Sequence, residues 1–227
     1  MGNGYEKRDG KYMPDSAEVK NREVRPTVKL IAYTPDPERV VATAMRQSRF
    51  KGGVKDLSLS DRDIEHLINL ALKLGHLSVF EHVSFTFAIE GISRACSHQF
   101  VRHRLFSFTQ QSQRYVKEAN FPYIVPQSIK ENKEAYGKFT DAIRTIGETY
   151  AELAKIVPFE DARFILPNAT ETKLVATANA RELMHFFKLR LDKAAQWEIR
   201  NVAEKMFDIV SGVAPHIFNE GNRDKFV

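Results

Sequence analysis

The 227-residue sequence contains a single cysteine, Cys96. That excludes an intramolecular disulfide and a four-cysteine zinc site. No apolar run reaches the ~18 residues a transmembrane helix needs. The polar stretch from Met1 to Pro26 lacks a hydrophobic segment of signal-peptide type. A soluble, cytoplasmic protein is the expectation. Neither G-x-G-x-x-G nor G-x-x-x-x-G-K occurs, so a Rossmann or P-loop phosphate site has no support. Acids are missing locally: none stands between Glu90 and Glu118.

The composition itself is that of an ordinary globular chain, 43% hydrophobic and 28% charged, with 16 Phe to build a core. The formal charge is only +5, from 34 basic and 29 acidic residues. A chain of this length holds one large domain or two small ones at roughly 150 residues per domain. Residues 1–26 carry Gly2, Gly4, Gly10 and Pro14 without apolar periodicity and are expected to be a flexible N-terminal arm. Residues 27–227 form the remaining domain.

Thr27 to Ala32 reads as a strand, and Asp36-Pro37 as the N-cap and first residue of a helix running to about Arg49, where Gly52-Gly53 breaks it. Ser60-x-x-Asp63 opens a second helix that Gly75 stops. Val83, Phe85, Phe87 and Ile89 alternate with smaller residues as a half-buried strand, and Ser93 caps a helix carrying Cys96 and Phe100. Ser107 to Tyr115 is polar and aperiodic and is expected to be a loop. Helical patterns return over Ser128–Ile156 and Phe159–Leu166, a short strand over Lys173–Ala178. Asn179-x-x-Glu182 reads as a capping pair for a helix reaching Leu191, and a last helix covers Gln196–Ser211. With no internal repeat or linker, this is one α+β domain with a small, mainly antiparallel sheet flanked by long helices.

The acid-free interval holds Arg94, Arg102, Arg104, Arg114, Lys117, His98 and His103, followed by Gln110, Gln111, Ser112 and Gln113. Guanidinium forks match phosphate oxygens, and hydroxyl and loop N–H groups can complete such a cradle. The competing reading is a solvated face whose arginines pair with distant glutamates. Phe100, Phe106, Phe108 and Tyr115 interrupt the run, which ties it to the body and favours a shaped anion site. Cys96, among Ala95, Phe100 and Val101, reads as a small buried core residue. Glu81-His82 has no third ligand at usual spacing, so no metal is expected.

The order Arg102-His103-Arg104 followed by Ser112-x-Arg114 resembles the signature of the flavin-dependent thymidylate synthases, the ThyX family. Gly75-His76-Leu77-Ser78, Ala162-Arg163-Phe164, Asn179-Ala180-Arg181-Glu182, Leu189-Arg190 and Gln196-Trp197-Glu198 resemble further segments of that family in the same order, over roughly Val40 to Ala214. The resemblance implies a ThyX-like fold and conversion of dUMP to dTMP. 5,10-Methylenetetrahydrofolate supplies the carbon, reduced FAD the hydride, and NADPH reduces the flavin. It implies a homotetramer with sites at subunit contacts, and neither nucleic acid nor membrane as a partner. Flavin contacts carry over to Ser78, Arg102, His103, Arg104, Gln110, Asn179, Arg181 and His185. Contacts to dUMP carry over to Gln99, Arg102, Gln110, Gln111, Ser112, Gln113, Arg114, Arg163 and Arg190. Arg190 matches the arginine that stabilises ionised uracil N3, and His76 is a further site candidate. Gln110 stands where some members have Glu, His185 where others have Asn, and Ala194 where some have His. The competing functions are a basic nucleic-acid-binding module and a flavoprotein without synthase activity.

One expectation comes from helix geometry alone. Arg181 and Arg190 are nine residues apart, which at about 100° per residue sets them on opposite faces. A single small ligand would then not meet both, and the helix would stand between two sites or two subunits.

Overall fold

The structure, a computed structural model, describes residues 5–8, 11–14, 22–48, 51–52, 58–113 and 121–226. Arg114, Tyr115, Lys117, Arg49 and Gly53, which figured in the sequence reading, lie outside the described residues. Within the first 26 residues, β1 (Tyr5–Arg8) and β2 (Lys11–Pro14) pair as an antiparallel hairpin. Further on, Val24 N–H donates to Tyr123 O at 3.0 Å, and Glu23 pairs with Lys130.

The central sheet has four antiparallel strands in the order β3 (Thr27–Tyr33), β4 (Ser84–Ser93), β6 (Glu171–Asn179), β5 (Ser107–Gln110). The fold is thus α+β around a small antiparallel central sheet, as the patterning implied. In β4 the alternation puts Phe85, Phe87 and Ile89 into the core. The register slips between Ile89 and Ile92, and Gly91 sits at the bulge with φ 70°. Its N–H donates to Glu171 Oε1 at 2.9 Å, and a Cβ there would lie 2.0 Å from Arg25 O. Only glycine fits.

Between β3 and β4 come α1 (Pro37–Gln47), α2 (Asp61–Leu74) and a 3₁₀ segment, Leu77–His82. The expected side-chain cap of α1 is absent. Asp36 is left-handed (φ 45°) and its side chain makes no cap hydrogen bond, while its carbonyl accepts the first helical bond from Val40 N–H. The Ser60–Asp63 capping box of α2 forms in both directions, and Gly75 ends the helix at φ 68°.

After β4, α3 (Arg94–Phe100) leads into β5, the segment expected to be a loop. It is a strand because Phe108 packs against the main core while Ser107 and Thr109 face solvent, and because β6 offers it an open edge, with Ser107 opposite Thr177 and Gln110 opposite Leu174. Four residues are too few for their alternation to be read reliably in a polar stretch.

The long helix expected from Ser128 is broken at Glu131-Asn132 into α4 (Gln127–Lys130) and α5 (Lys133–Ile156). Asn132 Oδ1 caps α5 by accepting from Ala135 N–H at 3.0 Å. Phe159–Leu166 is shorter than expected: one turn, α6 (Phe159–Ala162), then a 3₁₀ turn, Arg163–Ile165. Next come α7 (Ala180–Arg190) and α8 (Trp197–Val213).

The main core is aromatic. Phe100, Phe186 and Phe187 of the helices meet Phe85 and Phe87 of β4, all at most 1% exposed. Truncating one such ring to alanine costs about 3–5 kcal/mol. A second, smaller cluster of Phe121, Tyr123, Val125 and Ile143 lies under α5.

Candidate active site

Two elements face each other across a cleft. On one side the chain leaves α3 in consecutive tight turns: His103 N–H donates to Phe100 O and Phe106 N–H to His103 O, both at 3.1 Å. These turns alternate the side chains, so Arg102, Arg104 and Leu105 face out while His103 and Phe106 are buried. On the other side β6 runs straight into α7. Asn179 Oδ1 accepts from Glu182 N–H at 2.9 Å and starts the helix. The capping pair is only half realised, because the Glu182 side chain turns instead toward His103, with Oε1 at 3.7 Å from Nδ1.

The cleft has a volume of about 760 Å³. Arg102, Arg104, Arg181 and Arg190 line it, with His103, His185 and Asn179, against two carboxylates, Glu81 and Glu182. Arg181 Nη1 donates to Glu81 Oε1 at 2.5 Å, a pair about half exposed on both sides. Arg190 Nε donates to His103 Nε2 at 3.0 Å. Burial holds the His103 pKa down at about 4, helped by the charges of Arg190 and His185. His103 is therefore a neutral acceptor at pH 7. Burial also raises the Glu182 carboxyl above its ordinary range.

The structure brings seven of the sequence-predicted residues to this cleft: Arg102, His103, Arg104, Asn179, Arg181, His185 and Arg190. It also corrects the inference from helix geometry, because Arg181 and Arg190 line the same cleft. The cleft follows the helix over the about 13.5 Å that separates them along its axis. Arg190, in the last turn, reaches the α3–β5 turn, while Arg181, in the first, reaches the 3₁₀ segment. Angular separation at Cα does not keep two long side chains apart.

The other predicted residues lie elsewhere. Gln110 Nε2 donates to Ser97 Oγ at 3.0 Å and Thr172 Oγ1 at 2.9 Å, at the far end of β5. Gln99, Gln111, Ser112 and Gln113 are half-buried near that end of the sheet or on α3, and Gln111 N–H extends the ladder to Lys173 O. Arg163 Nε donates to Glu160 O at 3.0 Å in the turn after α6. Ser78 is exposed in the 3₁₀ segment, and His76 precedes it. Cys96 is fully buried, and burial pushes its thiol pKa up, so it is no accessible thiolate.

Sequence reasoning missed Glu81, Glu182, Leu105 and Leu189 as cleft residues. Glu81 was weighed only as half of a Glu81-His82 metal pair, Leu189 stood in the Leu189-Arg190 segment and Glu182 in the Asn179 capping pair, and none of these signals marked its residue as lining the cleft.

Fold and site together define an α+β protein with a cleft lined by four guanidinium groups. Residues 29–216 match the family model described as thymidylate synthase complementing protein. The flavin-dependent thymidylate synthase of Geobacter sulfurreducens is 49% identical over 198 residues, 85% of each chain. That of Clostridium tetani is 42% identical over 210 residues, 84% of each. That of Sulfolobus acidocaldarius is 47% identical over 197, covering 84% of this chain and 75% of its own. Among solved structures, the UMP/dUMP methylase PolB of Streptomyces cacaoi, bound with 5-Br dUMP, superposes with a TM-score of 0.78 at 26% identity, over 90% of this chain and 95% of that one. The chain belongs to the flavin-dependent thymidylate synthase family.

Proposed function

We propose that the protein converts dUMP to dTMP, with 5,10-methylenetetrahydrofolate as carbon donor, reduced FAD as hydride donor and NADPH as the reductant of the flavin. The observation that carries this reading is the convergence of Arg102, Arg104, Arg181 and Arg190 on one cleft around a neutral His103. The donor set fits a dinucleotide cofactor. Guanidinium groups answer its two phosphates, Asn179 and His185 offer hydrogen-bonding groups at the cleft wall, and Leu105 and Leu189 are exposed apolar side chains for a flat ring. Arg102, His103, Arg104, Asn179, Arg181 and His185 hold the flavin in this reading, with Ser78 and Gln110 as further contacts. When bound and reduced, the flavin supplies the hydride.

The chain's own part is binding and electrostatics. Arg190 sits beside the uracil ring and stabilises negative charge at N3, which makes C5 a better nucleophile toward the one-carbon unit. Its Nε is already engaged by His103, which leaves the two terminal nitrogens for the substrate. Gln99, Gln110, Gln111, Ser112, Gln113, Arg114 and Arg163 are the remaining dUMP contacts proposed. Ser112 and Arg163 are not among the residues lining their own chain's cleft. They would serve the cleft of another copy, in keeping with a homotetramer.

Growth of a thymidine-requiring strain lacking its own synthase tests the reading: rescue is expected, and no rescue by well-expressed protein refutes it. Tritium release from 5-labelled dUMP, with methylenetetrahydrofolate and NADPH, separates synthase activity from a flavoprotein of other chemistry. An Arg190→Ala chain mixed with a Ser112→Ala chain should recover part of the lost activity. No recovery in well-mixed tetramers would place each site within one chain.

A further inference from the structure

We infer that Glu182 is a positioning residue: its carboxylate keeps the His103 proton on Nδ1, so that Nε2 stays an open acceptor and fixes the Arg190 guanidinium at the cleft wall. The chain of contacts starts at Arg190. Its Nε–H lies 3.0 Å from His103 Nε2. An arginine has no acceptor, so Nε2 must carry a lone pair, and a neutral ring then bears its proton on Nδ1. That proton faces Glu182 Oε1, 3.7 Å away. The separation is a fraction of an ångström beyond hydrogen-bond range, close enough for the carboxylate's charge to bias which ring nitrogen carries the proton.

Burial makes the arrangement consequential. The His103 and Glu182 side chains are 4% and 5% exposed, so water is a poor substitute for either partner. Phe106 and Phe186 pack against the imidazole, with ring centroids 6.1 and 4.9 Å away, and restrict its rotation. Glu182 is itself anchored: its N–H is bound by Asn179 in the first turn of α7, where free N–H groups favour a carboxylate. Burial keeps His103 neutral, which a tautomer-dependent role requires. The other orientation, with the proton on Nε2, would set two donors against each other at the Arg190 contact and leave Nδ1 facing a carboxylate lone pair.

The consequence for turnover rests on the role proposed above for Arg190, whereas the tautomer does not. The test therefore reads the ring directly. Imidazole nitrogen shifts of His103 and the Arg190 Nε–H signal are recorded by NMR on the full ¹⁵N-labelled chain, without and with FAD. Wild type should show a single form with the proton on Nδ1 and a slowly exchanging Arg190 Nε–H. Glu182→Gln keeps an oxygen acceptor and should preserve both signatures. Glu182→Leu should give mixed tautomers, a fast-exchanging Nε–H and a kcat/KM reduced about tenfold, the size of one lost buried hydrogen bond. The inference is overturned if wild type carries the proton on Nε2, if Glu182→Leu leaves both signals unchanged, or if Glu182→Gln fails as fully as Glu182→Leu. Should Glu182→Leu not fold, wild type and Glu182→Gln still decide. Normal signatures in a chain with no synthase activity would count against the proposed function and not against this inference.

Discussion

Alanine at Gly91 should destabilise the protein far more than alanine at Gly75, although both glycines have a left-handed backbone, with φ 70° and 68°. An L-residue in that conformation costs about 1–2 kcal/mol. At Gly75 the new Cβ meets no atom within 4 Å, so that cost is the whole effect. At Gly91 the Cβ would lie 2.0 Å from Arg25 O and 2.7 Å from Arg25 C. These are backbone atoms, and no side chain can swing away. Either the segment before β3 lifts off β4 or the bulge opens. Opening the bulge breaks the 2.9 Å bond from Gly91 N–H to the buried Glu171 carboxylate, a further loss of about 1–3 kcal/mol. We expect a total of about 2–5 kcal/mol for Gly91→Ala against about 1–2 for Gly75→Ala. Urea unfolding measures both, read as a shift of midpoint at constant slope. Equal losses in the two variants would refute the docking of residues 22–26 against β4. The site should feel the change as well. Gly91 lies two residues before Ser93, whose Oγ accepts from Cys96 N–H at 3.0 Å and starts the helix that carries the His103 turn.

Folded His103 stays neutral down to about pH 4, while the unfolded chain protonates near the ordinary value of 6.5. Across that window the unfolded state binds more protons, so stability falls as pH drops, by about 3 kcal/mol in total for this group. His103→Phe should flatten that part of the pH–stability curve in urea titrations at pH 4.5 and 7, and an unchanged slope contradicts the buried neutral imidazole. Cys96→Ser should retain dUMP-dependent turnover and lose about 1–3 kcal/mol for a buried hydroxyl; loss of turnover in a folded variant would show that the thiol takes part in the reaction. Glu81→Gln should change stability by less than about 1 kcal/mol, since the pair is half exposed, yet lower the Kd for FAD severalfold at low salt. Weaker FAD binding would show that Glu81 is a ligand contact and not a competitor for Arg181.

Much of the fold follows from signals that act within a few residues. The Ser60 capping box, the Gly75 stop and the alternation through Phe85, Phe87 and Ile89 are local events, and each stands where its pattern places it. Part of what escaped depends on distant partners, and part on local choices the pattern left open. The strand β5 exists because β6 presents an unpaired edge, 64 to 70 residues further on in the paired positions. Asp36 follows a turn preference that the Asp-Pro pair does not reveal, and the break before α5 is set by Asn132 winning its own cap over helix continuation. At the site, the arginines were legible because a run without acids is a compositional fact. Glu81 and Glu182 were not, because each enters the cleft from an element remote in sequence from the basic run.

Those two carboxylates show how the cleft holds four guanidinium groups without a ligand. Like charges facing one cavity repel, and the repulsion must be offset before any phosphate arrives. Glu81 does this from the solvent side. Its bond to Arg181 is exposed, screened by salt and weak enough for an incoming anion to replace it. Glu182 works from beneath. It is buried, and its Oε1 lies 3.7 Å from His103 Nδ1. A phosphate can therefore displace the first acid while the second keeps its place. In the proposed reading, binding would exchange one counter-ion and leave the buried Arg190–His103 contact in place. Reversing the two acids' positions would invert the outcome: a buried acid on Arg181 would oppose the ligand, and an exposed one beside His103 would let water choose the tautomer.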